Sequence, residues 1–153
     1  MDLKILESMG ITNQIDIKWI VLPAALLAVY TLLILFLMAM KRKRAAQDGS
    51  VDPKYFRLYQ GDGLTDELQL WNRHFNNLLE TPILFYFATI VAVLTHQVTT
   101  LIVTICWVYF ATRMLHSWIH LNCNRVMNRF MVFGFSAFTL IGLWITLIVG
   151  MFI

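Results

Sequence analysis

Three residues at helical spacing, Arg73, Asn77 and Glu80, stand at the mouth of an apolar run within WNRHFNNLLETPILFYFATIVAVL, residues 71–94. At 100° per residue they fall within about 60° of one another and form one polar stripe. A second trio, Arg113, His116 and His120, has the same angular spread at the end of the third apolar run, in RMLHSWIH. Tyr109 and Cys106 continue that stripe deeper, as packing residues. Glu80 is the sharpest of these residues. A carboxylate near the start of a membrane core costs roughly 2–3 kcal/mol or more unless it is paired. Arg73 or Arg113 is the expected cation. Pro82 follows, where its ring removes the bond to the carbonyl of Leu78 and loosens that turn.

Two blander readings stand beside a binding pocket. Polar residues at membrane ends snorkel to the headgroups, which suits Arg73 and His74 but gains nothing for Asn77 and Glu80. The same Arg, Asn and Glu chemistry also makes interhelical clamps. His116 and His120, one turn apart, have a spacing suited to a metal shared with His74 or Glu80, but no third ligand sits in register, so no metal is expected. His96 carries no signal.

The elements that position these residues are membrane spans. Apolar and aromatic residues make up 59% of the 153-residue chain and charged residues 14%, a balance too apolar for a soluble domain. WIVLPAALLAVYTLLILFLMAM, residues 19–40, is free of charge and long enough to cross a bilayer. A cleaved signal peptide fits it poorly, since the run is long, starts late and is followed by KRKR. Further spans are expected over about 71–95, 100–120 and 130–152, with one polar loop over 41–64 broken by Gly49, Pro53, Gly61 and Gly63. The expected fold is therefore an all-α membrane protein, a single domain over 1–153 built as a four-helix transmembrane bundle. Gly134, Ser136, Ala137 and Gly142 offer close helix approach on the fourth span. Cys106 and Cys123 give no disulfide framework.

Charge sets the orientation. Lys41, Arg42, Lys43, Arg44, Lys54 and Arg57 occupy the first connection, and Arg125 and Arg129 the third; the opposite side offers Lys4 and Lys18. The positive-inside rule places both termini outside the cytoplasm, and loops 41–64 and 121–129 within it. KRKR is then a topology anchor, and no nucleic-acid partner is implied. This orientation brings the two polar stripes to the same membrane face.

RHFNNLLETP followed by RMLHSWIH resembles the MAPEG superfamily, the membrane-associated proteins in eicosanoid and glutathione metabolism, as a bacterial-type member. The family motif is Arg, then Asn four residues on, then Glu three further, then Pro at the start of an apolar span, here Arg73, Asn77, Glu80 and Pro82. The resemblance implies an inner-membrane homotrimer with glutathione as co-substrate, lying between neighbouring subunits. It implies a transferase or peroxidase acting on an apolar electrophile or lipid hydroperoxide drawn from membrane lipid. Arg73, Asn77, Glu80, Arg113 and His120 become binding candidates; Arg129 (or Arg125), as the nearest counterpart of a thiol-polarising family arginine, and His116 become candidates for activating the thiol. Two departures matter: Pro82 follows Glu80 by two residues where many members have three, and His116 and His120 stand where glutathione-using members often carry tyrosines. A noncatalytic lipid- or partner-binding protein on the same bundle, with a structural polar clamp, is the alternative.

Overall fold

The computed structural model describes residues 15–58, 63–123 and 125–152. Among these residues there are helices and no strands: α1 Lys18–Gln47, α2 Pro53–Leu58, α3 Asp66–Leu94, α4 Thr100–Trp118 and α5 Val126–Gly150. A π-helical turn, Ile119–Cys123, extends the end of α4. Four of these helices are long and apolar enough to cross a membrane, as an integral multi-pass protein requires. Lys4 and Gly61, named above, lie outside the described residues, as does the side chain of Cys123.

The expected loop over 41–64 is partly helix. α1 continues through KRKRAAQ to Gln47, because Lys, Arg, Ala and Gln are strong helix formers and no breaker precedes Gly49. Gly49 then turns the chain at φ 77°, a left-handed conformation that glycine adopts without steric cost. Pro53 opens α2 rather than breaking it. α3 likewise starts before residue 71. The Thr65 hydroxyl caps it by accepting from the Leu68 amide at 3.4 Å, and Asp66 and Glu67 complement the positive end of the helix dipole. Lys41 pairs with Glu67 and lies 5.0 Å from the centre of the Trp71 ring, while Arg42 donates to the Asn72 side chain. These residues, read as topology anchors, thus also tie the extension of α1 to that of α3. In the turn after α1, the Ser50 hydroxyl and amide donate to the Asp48 carboxylate and hold it below the usual carboxylate range.

Pro23 sits inside α1, where its ring removes the bond that the Trp19 carbonyl would accept. The Trp107 indole of α4 donates to that same carbonyl at 3.1 Å. An orphaned backbone acceptor in an apolar bundle is thereby satisfied from the neighbouring helix. Pro82 is also carried inside a continuous helix, α3.

The core repeats at seven-residue intervals: Ile20, Leu27 and Ile34 on α1, and Leu78, Phe85 and Ala92 on α3. That interval suits helices packed at shallow angles. Cys106 and Tyr109 on α4 and Leu140, Leu143 and Leu147 on α5 complete it. α4 and α5 make the most extensive contact; α1 lies against α3 and α4. A side chain added at Gly134 or Gly142 would meet nothing within 4 Å, so the close helix approach expected at these glycines is absent within the described chain. Ser136 is buried and bonds back to the Phe133 carbonyl.

Candidate functional site

A cavity of about 380 Å³ lies between α3, the end of α4 and the start of α5. From α3 it is lined by Arg73, Asn76, Asn77 and Glu80. His116 comes from α4 and His120 from the π turn. α5 supplies Arg129 and an apolar wall of Val126, Phe130 and Phe133. The two stripes read from the sequence meet here, and Arg129, rather than Arg125, reaches them. Arg73 and Arg129 also border a second cavity of about 490 Å³, whose other walls are Asp66, Glu67, Gln69 and Leu70.

Arg113 is the exception among the sequence-predicted residues, for it does not line the cavity. It is wholly buried behind the wall, where it donates from Nη2 to the Asn77 carbonyl at 2.7 Å. Its guanidinium lies 5.9 Å from the centre of the Phe133 ring. Its Nε and Nη1 have no hydrogen-bond partner among the described residues.

The expected pairing of Glu80 with Arg73 or Arg113 is not formed. Among the described residues the ion pairs are Lys18–Asp16 and Lys41–Glu67. Glu80 is exposed at the cavity, while Arg113 is turned to a backbone carbonyl. Asn77 donates its Nδ2 to the Arg73 carbonyl at 2.8 Å, which leaves its side-chain oxygen for the cavity. Three guanidinium groups, at Arg73, Arg113 and Arg129, thus stand at or behind one small cavity with the single carboxylate of Glu80. Such a site favours an anion.

His116 and His120 form, with His74 behind them, a cluster of buried histidines at the cavity. The His120 ring is 5.2 Å from that of His74 and 5.8 Å from that of His116, centre to centre. Arg129 Nη1 is 3.4 Å from His120 Nε2. Both nitrogens of His74, and Nδ1 of His116 and of His120, are buried without a protein partner among the described residues. No group of three His, Cys, Asp or Glu side chains among these residues is arranged to hold a metal ion.

His74 is the residue that sequence reasoning misplaced, weighing it with Arg73 as a snorkelling anchor. It is wholly buried. The signal was present, for His74 lies in helical phase with Leu78, Phe85 and Ala92, within about 40° of each. Phe130 and Phe133 were read only as part of the fourth span. Because α5 begins at Val126, its first turns instead form the apolar wall of the cavity.

No match to the chain is found among curated proteins or among solved structures. The profile of the MAPEG family matches residues 20–149, a stretch that holds the four apolar helices except for the first two residues of α1 and the last of α5, and every residue of the cavity. The chain belongs to the MAPEG family.

Proposed function

We propose that the protein is a membrane glutathione-dependent transferase or peroxidase, with glutathione held in the α3–α4–α5 cavity. The observation that carries this reading is the charge pattern of that cavity: the guanidinium groups of Arg73 and Arg129 and one carboxylate line it beside an apolar wall, with the Arg113 guanidinium buried behind. Glutathione offers two carboxylates, an ammonium group and a thiol. Guanidinium groups bind carboxylates in a bidentate fork, and Glu80 complements the ammonium. The cavity volume lies within the range of small-molecule sites.

In the transferase reaction the thiol loses its proton and the sulfur attacks an electrophilic carbon. A carbon–sulfur bond forms and the leaving group departs with its electron pair. A nearby guanidinium lowers the thiol pKa, which suits Arg129, and His116, which lines the same cavity, is the proton acceptor of this reading. In the peroxidase reaction two glutathione molecules are oxidised to the disulfide, and the hydroperoxide is reduced to an alcohol and water. The apolar second substrate reaches the site along Val126, Phe130 and Phe133. Both termini lie outside the cytoplasm, the cavity faces the cytoplasmic thiol pool, and three copies assemble as a homotrimer.

A specific contact favours a second reading for one residue. The bond from Arg113 to the Asn77 carbonyl joins α4 to α3, so Arg113 is also suited to a structural clamp. Arg73→Ala and Glu80→Gln separate site from clamp for the stripe as a whole. Loss of glutathione binding with an unchanged oligomer supports the binding site. Dissociation of the oligomer by both variants supports the noncatalytic protein with a polar clamp.

A further inference from the structure

We infer that His74 and His120 are positioning residues that fix the Arg129 guanidinium at the cavity, through a chain running from α5 across the π turn into α3. A guanidinium carries five N–H donors and no acceptor. Arg129 Nη1 lies 3.4 Å from His120 Nε2, so that nitrogen must offer its lone pair. The His120 ring is therefore neutral and carries its proton on Nδ1.

That Nδ1–H is buried and has no protein partner among the described residues. The ring beside it is His74, 5.2 Å away, wholly buried, with both nitrogens equally unpartnered. A neutral imidazole has one acceptor nitrogen, which can accept from the His120 Nδ1–H through a single bridging water. Buried polar groups are rarely left unmade, and one water between two neighbouring rings with complementary vacancies satisfies both. The Arg129, His120 and His74 side chains thus form one line, each link fixing the next.

Charged and titratable groups face this chain from every neighbouring element. Arg73 faces this region from α3, Arg113 and His116 from α4, and Arg129 from α5; Tyr30 of α1 lies 6.5 Å beyond His74, and Glu80 is the anion at the cavity. A proton on His120 Nε2 would remove the acceptor and set two cations against each other. The contact that His120 makes with Arg129 therefore requires the neutral ring.

The importance of Arg129 rests on the proposed thiol chemistry, but the hydrogen-bond chain is tested without glutathione. The full-length protein, labelled with ¹⁵N in its histidine rings and held in lipid nanodiscs near neutral pH, gives long-range ¹H–¹⁵N spectra. The His120 signal is identified by its loss in His120→Asn. The expected result is a neutral ring protonated at Nδ1; an Nε2-protonated ring or an imidazolium overturns the inference. The second measurement compares His74→Phe, which keeps ring volume without nitrogen, with His74→Gln, which keeps an acceptor. His74→Phe is expected to raise the glutathione Kd about tenfold, matching one lost hydrogen bond, and His74→Gln to restore most of it. Equal loss in both variants overturns the positioning role. If the unaltered protein binds no glutathione, the proposed function fails and the His120 tautomer alone decides this inference.

Discussion

At the scale of single residues, Arg113 is the side chain whose energetics are hardest to reconcile with stability alone. It is wholly buried, its hydrogen bond among the described residues goes to a backbone carbonyl, and no carboxylate lies within ion-pair distance among them. The bond to the Asn77 carbonyl contributes about 1.5–3 kcal/mol, while burying an uncompensated cation costs several. Arg113→Met keeps the length of the side chain and removes the charge. The thermal midpoint of the purified protein is expected to hold or rise, and glutathione affinity to fall at least about tenfold. A marked fall in the midpoint would instead make Arg113 a clamp. His116 and His120 belong to the same scale. Both line the cavity with rings that can accept a proton, so His116→Phe is expected to slow thiol transfer more than it weakens binding.

At the scale of elements, the two prolines inside membrane helices make a sharper test than the helices themselves. The Trp107 indole meets the Trp19 carbonyl that Pro23 leaves free. Trp107→Phe is expected to cost about 1 kcal/mol, and Pro23→Ala, which returns the backbone donor, to remove most of that cost. Additive effects in the double variant would contradict the account. In the turn after α1, the Asp48 carboxylate is held low by Ser50. A depressed pKa means that this bond is present at neutral pH and lost as pH falls through the lowered value. The Ser50 amide resonance should therefore titrate below the usual aspartate range, and Asp48→Asn should abolish the titration. These elements also mark what was legible beforehand. The four spans stood out as long apolar runs, and the meeting of the two stripes followed from helical phase and charge asymmetry. The extension of α1 through KRKRAAQ did not, because a charge run reads as loop unless its helix propensity is weighed. The missing partner of Glu80 did not either, since spacing places residues on one face without saying which of them turn to solvent. Arg113 could be placed on its stripe, but its turn toward the Asn77 carbonyl depends on how α3 and α4 pack.

At the scale of the whole molecule, the proposals are orientation, assembly and ligand. The excess of Lys and Arg on one side predicts that a phosphatase reporter fused after Ile153 is active only when exported. An active cytoplasmic reporter at that end would invert the topology and turn the cavity away from the reducing thiol pool. The homotrimer is tested by native mass spectrometry from mild detergent, where a monomer at all concentrations would contradict it. The central claim is that this membrane bundle holds glutathione between α3, α4 and α5, and titration calorimetry of the detergent-purified protein tests it most directly. The account predicts saturable binding below millimolar concentration, weakened at least about tenfold by Arg73→Ala. No detectable heat of binding up to millimolar glutathione, from protein shown to be folded, would contradict it.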